Sequence, residues 1–253
     1  MEQTTMKIRI KFAKYGTMKF IGHLDMMRFF QKAIRRANID IRYSEGFSPH
    51  QIMSFAAPLG VGIESQGEYL DIEVNSLTTT EDMKNRLNHA MVEGVEVLAV
   101  CILPDTVKNA MASVAAASYQ LHKKEGSFAI ADLDKKLSAF YAQEHIPYTK
   151  ETKKSVLELD LKQGIYSLEA CEVTVPFYEG AAKRTTQAIR MMVDASSSGN
   201  IKPTMVFEKF CEFAGLEIPA SAYQVTRLDT YTDIATGDEP HHFVPLEAVG
   251  TAK

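Results

Sequence analysis

The sequence has few of the features that mark secreted, membrane or fibrous proteins. Three cysteines among 253 residues do not make a disulfide scaffold, and they suit a reducing compartment. The 14 glycines and 9 prolines are too few for a collagenous or low-complexity chain. The start lacks the apolar core of a signal peptide, and the longest apolar run, 97–103, is too short to cross a membrane. We therefore expect a cytoplasmic globular protein.

Motifs for several kinds of catalysis are also missing. The sequence contains no GxxxxGK[ST] phosphate loop, no GxGxxG dinucleotide loop and no GxSxG nucleophile elbow. Cys101, Cys171 and Cys211 are too far apart for a CxxxCxxC iron–sulfur motif, so we expect no cofactor of that kind. No HExxH or paired CxxC spacing indicates a metal site. The motifs therefore do not name a reaction.

Charge is divided unevenly along the chain. The formal net charge is −4, but residues 1–54 carry +6 and residues 55–253 carry −10. A basic segment in an acidic chain indicates a polyanionic or acidic partner. The alternative is that the basic segment neutralises the acidic remainder across an internal interface. The charge distribution alone leaves both interpretations open.

Hydrophobic periodicity predicts two α+β modules. In the first, apolar residues alternate over 6–12, recur at helical spacing over 23–37, and resume strand patterns later. The predicted order is β-α-β-β-α-β, with strands at 6–12, 39–43, 52–59, 69–74 and 95–103, a loop at 60–67, and a second helix from a Thr78–Thr80 cap to Gly94. This order is ferredoxin-like, and 39–43 is predicted to be the second strand.

The second half is predicted to repeat this order. Strands are expected at 118–122, 188–193 and 223–231, helices at 130–141 and from Pro203 to Gly215, and a hairpin of 155–161 with 165–175. We therefore predict two tandem ferredoxin-like modules with antiparallel sheets. Their expected limits are 1–104 for the basic module, 105–117 for a linker, 118–232 for the acidic module and 233–253 for a loose tail.

Clustered cations in the first module form the first candidate site. On the predicted helix the basic residues share an arc opposite the apolar stripe, and three more project from one face of the first strand. The predicted binding cations are Lys7, Arg9, Lys11, Arg28, Lys32, Arg35 and Arg36. Phosphate binding requires such clustered cationic groups. Helices, however, also display charges to water without binding any ligand.

The segment 43–50 is the second candidate site. It places Tyr43, Ser44, Phe47, Ser48 and His50 in an irregular connection between strands, where binding or catalytic groups often lie. An imidazole there can act as an acid or base near neutral pH. These residue types are equally common in tight, capped connections.

A third candidate is the start of the first helix, where His23 and Asp25 lie near exposed backbone amides. These two residues are two positions apart and so do not share a helix face. We predict no metal site at His23 and His50.

Four segments together resemble the radical-SAM-linked protein family, whose members carry a domain of unknown function. They read Lys19-Phe-Ile-Gly-His-Leu-Asp25, Arg35-Arg-Ala37, Tyr43-Ser-Glu-Gly-Phe-Ser-Pro-His50 and Ala57-Pro-Leu-Gly-Val-Gly62. The resemblance is strongest over 6–75 and continues more weakly to about 232. The family's usual serine before His-Leu-Asp is Gly22 here, so no hydroxyl role is expected at that position.

This resemblance implies work beside a radical SAM enzyme. Members also lie near ribonuclease and ribosomal-protein genes, which implies an RNA or ribosome setting. Because this chain lacks the cluster cysteines, the resemblance favours a non-catalytic accessory role. The alternatives are an RNA-processing or RNA-modifying enzyme that uses His23 or His50, and a protein–protein adaptor without RNA.

Overall fold

The computed structural model describes residues 5–127, 129–151 and 156–253. It divides into two compact units. Unit 1 comprises Met1–Ala115 and Asp229–Lys253, and unit 2 comprises Ala116–Leu228. Both units combine α-helices with antiparallel strands, which confirms the predicted α+β class.

The first segment of unit 1 contains four strands and three helices. In chain order they are β1 (Met6–Lys14), α1 (His23–Arg36), β2 (Met53–Phe55), β3 (Glu64–Val74), α2 (Thr80–Ala90), β4 (Val95–Leu103) and the short α3 (Ala110–Ser113). A 3₁₀ turn, Gly16–Phe20, precedes α1. β1 pairs antiparallel with both β3 and β4, and β2 pairs with β3.

The helices of unit 1 form where the sequence places caps and apolar stripes. Asp25 lies in the first turn of α1 and Arg35 and Arg36 lie in the last, and both placements suit the helix dipole. Asn38 follows with a φ of 50°, a left-handed conformation that ends the helix. At α2 the Thr79 side chain accepts a hydrogen bond from the backbone of Asp82, as the sequence predicts for a cap.

The core of unit 1 lies between the sheet and helices α1 and α2. Ile8, Ile10 and Phe12 alternate along β1 and are buried in one cluster with Phe30 of α1 and Leu87 of α2. The Phe12 and Phe30 ring centroids are 4.7 Å apart. Because strand side chains alternate between faces, the charged residues of β1 point to the opposite face.

Three strand predictions in unit 1 are corrected. Residues 39–43 form isolated bridges, Ile41 with Val74 and Tyr43 with Gln51, rather than a strand. The predicted strand 52–59 is confined to β2 (Met53–Phe55). β3 starts at Glu64, inside the predicted 60–67 loop. This start was not predicted because the first residues of β3 are polar yet buried, and so do not show the expected alternation of apolar and polar residues.

Unit 2 contains six strands, counting the part of β10 within it, and two helices in its described residues. They are β5 (Ala116–Lys123), α4 (Leu133–Tyr141), β6 (Pro147–Glu151), β7 (Val156–Asp160), β8 (Ile165–Val175), β9 (Arg184–Asp194), α5 (Pro203–Phe213) and β10 (Tyr223–Asp233), whose last residues belong to unit 1. β9 pairs with β5 and β8. Phe140 of α4 packs on Phe210 of α5.

The predicted hairpin of 155–161 with 165–175 is wrong. β7 pairs with β6, and β8 pairs with β9. A 3₁₀ turn, Leu161–Gly164, redirects the chain between β7 and β8, and the Asp160 side chain accepts a hydrogen bond from Lys162 at its start. Ser155, the predicted first residue of the hairpin, lies outside the described residues.

The predicted loose tail is also corrected, because residues 233–253 pack on unit 1. β11 (Phe243–Pro245) pairs with β10, and a 3₁₀ turn, Leu246–Val249, follows. Leu246 is fully buried in a cluster with Tyr69. Thr251 forms a bridge with Ile102 of β4. None of the helices in the described part of the chain has the length and apolarity needed to cross a bilayer.

Candidate functional site

Arg9 is buried, so it does not belong to an exposed basic surface. Its guanidinium makes a bidentate ion pair with Asp71 of β3, with N···O distances of 2.8 and 2.9 Å. Two backbone carbonyl oxygens accept from the same group, that of Leu246 at 2.9 Å and that of Lys108 at 3.4 Å. The Arg9 side chain has no solvent exposure. The structure therefore corrects its assignment as a binding residue.

Lys11 is also held by carboxylates. Its Nζ lies 2.6 Å from both Asp229 and Glu247, and only 14% of the side chain is exposed. Burial by itself lowers the pKa of Lys11, but hydrogen bonds and charge from the two carboxylates outweigh burial and raise that pKa. Lys11 therefore stays protonated at neutral pH as an internal cation rather than a free surface group.

Tyr69 completes this charged cluster. Its hydroxyl donates to Asp229 at 2.6 Å and also contacts Glu247. Burial, followed by the charge of Asp229, raises the pKa of Tyr69 well above its ordinary value. The phenol therefore remains a neutral donor. No sequence signal predicts this cluster, because its acids lie more than 200 residues after Lys11.

Lys7 is the exposed member of the β1 row. Its side chain is 42% exposed, and its Nζ lies 3.8 Å from an Asp105 carboxylate oxygen. Asp105 is itself almost fully exposed, so this contact is weak. Of the three predicted β1 cations, only Lys7 is available to a ligand.

The four predicted cations of α1 are all exposed. Arg28 pairs with Asp25 at 3.1 Å, and both side chains are about two-thirds exposed. Arg35 donates to a carbonyl of its own helix, and Arg36 donates to the carbonyl of Ala90. Lys32 is exposed and has no side-chain partner among the residues that the structure describes. The outward face of α1 is therefore a cationic surface, as predicted.

The 43–50 segment forms a closed loop beside α1. The Ser44 hydroxyl lies 2.8 Å from Nδ1 of His50 and accepts from the His50 backbone amide at 3.1 Å. That ring nitrogen is also 3.4 Å from the Ser48 carbonyl oxygen. At the tip, Gly46 has a φ of 107°, which favours glycine. The loop thus brings Ser44 and His50 together, as a pair that closes a turn.

Two aromatic side chains project from this loop. Phe47 is fully exposed and Tyr43 is 45% exposed. The following residue, Gln51, is buried, and its amide donates to the Gln31 carbonyl of α1 at 3.3 Å and to the Tyr43 hydroxyl at 3.4 Å. Gln51 thus fixes the loop against α1 and places the Tyr43 ring beside this helix, while Phe47 projects into solvent from the loop.

His23 does not join His50. Its ring packs edge-on against Phe55, with centroids 5.3 Å apart. Asp25 points to solvent with Arg28. No contact in the described residues links His23 to the 43–50 loop, so the structure does not combine these two imidazoles in one site.

Three exposed apolar residues near the start of α1 were not predicted from the sequence. Phe20, Leu24 and Val61 are each more than 60% exposed. The Gly62 amide donates to the Lys19 carbonyl at 2.8 Å, which holds the Val61 loop beside Phe20. The only sequence signal for these three residues is that they belong to the family motifs 19–25 and 57–62. Their exposure could not be predicted, because their spacing is that of ordinary core positions.

The cysteines do not form a cluster. Cys101 belongs to unit 1, whereas Cys171 and Cys211 belong to unit 2, and all three are free thiols. Burial raises the pKa of Cys101 and of Cys211 to about 11. Within the described ranges, no three His, Cys, Asp or Glu side chains are placed to hold a metal ion.

The fold and site define an α+β protein with a cationic helix face. A family model described as "Uncharacterized protein conserved in bacteria (DUF2344)" matches residues 7–203, so the chain belongs to this family. A crystal structure of an unknown protein from Galdieria sulphuraria is 11% identical over 90% of this chain and 99% of its own, with a TM-score of 0.24. None of the curated proteins matches the chain.

The buried Arg9–Asp71 pair gives a stability prediction. Arg9→Met leaves the Asp71 carboxylate largely buried without its partner, so we expect a loss of about 3–5 kcal/mol in the free energy of unfolding. Lys32→Met is the matched control, and its exposed position predicts a change within about 0.5 kcal/mol. Urea denaturation measures both. Equal effects of the two substitutions would contradict the structural role of Arg9.

Proposed function

We propose that this protein binds single-stranded RNA through α1 and the 43–50 loop, as an accessory to a radical SAM enzyme. The observation that carries the RNA proposal is the juxtaposition of exposed cations on α1 with exposed aromatic rings on the neighbouring loop. Single strands are bound by just this combination, because cations neutralise phosphates and aromatic rings stack on unpaired bases. The binding surface consists of Arg28, Lys32, Arg35, Arg36, Tyr43 and Phe47.

The charges of this surface favour a polyanion. Apart from Asp25, which pairs with Arg28, α1 presents no acidic side chain. The partners of Arg35 and Arg36 are backbone carbonyls, which leave the positive charges uncompensated. The acids that neutralise β1 lie on the other face of the sheet, with Lys11. A phosphate backbone along α1 would therefore meet several unpaired cations.

The aromatic rings favour a single strand over a duplex. Phe47 stands at the loop tip with its whole ring in solvent, an arrangement that costs hydrophobic free energy unless a ligand covers it. Bases in a duplex are stacked on each other and offer no free face. Unpaired bases can stack on Phe47 and Tyr43, and such stacking contributes about 1–3 kcal/mol per base.

The accessory role rests on the family resemblance of 19–25, 35–37, 43–50 and 57–62. These segments include Arg35, Arg36 and the loop, so the proposed RNA surface and the family motifs overlap, although Arg28 and Lys32 lie outside the motifs. In this proposal the protein acts in the cytoplasm and presents RNA or a ribosome-related substrate to its radical SAM partner.

We further propose that unit 1 is a ferredoxin-like module. Its support is the β-α-β-β-α-β order and the pairing of β1 with β3 and β4 and of β2 with β3. Unit 2 has a related order with an added β6–β7 pair. In such a module the outer side of the helix layer faces solvent, which suits binding by α1.

RNA binding is tested by removing two cations. Lys32→Ala with Arg35→Ala should weaken binding of a single-stranded RNA oligonucleotide at least about tenfold. It should also reduce the slope of log affinity against log salt by about 1.4, because two fewer phosphates are neutralised. Fluorescence anisotropy over a salt series measures both quantities. The control, Lys84→Ala with Lys135→Ala, removes the same charge elsewhere and should change little.

A second arm separates stacking from charge. Phe47→Ala should lower RNA affinity by a factor of about 5–100 and leave the salt slope unchanged, since a ring releases no counterions. Phe47→Trp should restore binding. If the cation and ring substitutions leave affinity as in the wild type, RNA binding by this surface is refuted.

The accessory role is tested by purification with and without nuclease. The tagged protein is expressed in a bacterium that has a member of this family. It should co-purify with a radical SAM enzyme, identified by mass spectrometry, and nuclease should reduce the amount of that enzyme recovered. Recovery that nuclease does not change would identify a protein–protein adaptor instead. The absence of any radical SAM enzyme from both samples would contradict the accessory role.

A further inference from the structure

A pocket of about 270 Å³ lies in unit 1 on the charged face of the sheet. Side chains of β1, β2 and β3 line it, together with the segment 107–109 that leads into α3. Because Lys7 of β1 points away from α1, the pocket lies on the opposite side of the sheet from the proposed RNA surface. It is therefore a separate site.

The carboxylates of the pocket are already neutralised by arginines. Asp71 is paired with buried Arg9, and Glu73 lies 3.0 Å from Arg42. Each carboxylate nevertheless keeps acceptor sites, because a carboxylate can accept about four hydrogen bonds. The Asp71 oxygens each accept one from Arg9. The pocket thus offers further acceptors without carrying net negative charge.

The lysines of the pocket, unlike the arginines, are not neutralised by a close carboxylate. Among the described residues, the Lys7 Nζ contacts only exposed Asp105, through a 3.8 Å contact with the carboxylate and a 3.4 Å hydrogen bond to the backbone carbonyl oxygen. Lys108 is exposed, and no carboxylate in the described part of the chain pairs with it. Two cations without strong partners beside two neutralised acids favour a ligand that carries an anionic group.

The remaining lining is apolar apart from small polar groups. Ile52, Leu103 and Val107 supply hydrocarbon surface, and Leu103 lies opposite Lys7 in the β1–β4 register. Ser54 lies opposite Asp71 in the β2–β3 register, and its hydroxyl has no partner among the described residues. Apolar walls with a few converging polar groups are typical of small-molecule sites.

We propose that this pocket binds a free aliphatic α-amino acid. The carboxylate of the ligand pairs with Lys7 and Lys108, and its ammonium donates to Asp71 and Glu73. The aliphatic side chain packs on Ile52, Leu103 and Val107. The volume is slightly below the range of about 300–1,000 Å³ for drug-sized ligands, which suits a ligand of this size. A dianionic phosphate fits less well, because it has no N–H groups to donate to the free acceptor sites of Asp71 and Glu73.

Calorimetry with three related compounds tests this proposal. L-leucine should bind the full chain with a dissociation constant at or below roughly a millimolar. 4-Methylpentanoate, which lacks the amine, and 3-methylbutylamine, which lacks the carboxylate, should each bind at least about tenfold more weakly, because each loses one charged contact. Binding of either analogue as tight as that of leucine would overturn the zwitterion proposal, and so would no binding of leucine at roughly 10 mM.

Two variants assign the binding to this pocket. Lys108→Met keeps the aliphatic stem but removes the charge, and it should weaken leucine binding at least about fivefold. The matched control, Lys135→Met on α4, should bind leucine as the wild type does. Both positions are exposed, so both variants should fold. Equal leucine affinity in the two variants would refute the pocket as the site.

Discussion

The buried guanidinium of Arg9 determines how unit 1 is assembled. A buried charge is tolerated only when it is paired and fully hydrogen-bonded. Asp71 supplies the pair, and the carbonyl groups of Leu246 and Lys108 accept two further hydrogen bonds. These partners come from β3, from the last residues of the chain and from the segment before α3. One side chain thus explains why residues 237 positions apart must meet.

The same constraint decides which cations are available to partners. Lys11 follows Arg9 on the same face of β1 and meets Asp229 and Glu247, so the acidic C-terminal segment neutralises part of the basic N-terminal one. The internal-interface interpretation therefore holds for part of the basic segment, whereas a polyanionic or acidic partner for the rest stays a prediction. The β1 row is largely an internal interface, whereas α1 carries the exposed charge. Lys7, at the edge of the row, remains open and lines the pocket.

Much of the fold could be predicted from the sequence, because its signals were local. The stripe of α1, the Thr79 cap and the alternation of β1 each depend on neighbouring residues. The predicted strand 69–74 was shorter than β3 because Glu64 and Glu68 are buried polar residues, which a periodicity argument assigns to solvent. The packing of 233–253 depends on Leu246 and Glu247 meeting distant strands, and no local pattern encodes such contacts. The outward placement of the α1 cations follows from local helical periodicity and could be predicted. The burial of Arg9 depends on distant partners and could not.

Lysine labelling with an amine-reactive reagent tests most directly whether the β1 cations are internal and the α1 cations exposed. In the native protein Lys32 should react rapidly, as an exposed amine does, and Lys11 should be strongly protected until the chain is unfolded. Peptide mass spectrometry over a time course compares the two rates in one sample. Equal rates for Lys11 and Lys32 in the native state would show that the C-terminal segment does not cover β1, and would contradict this account.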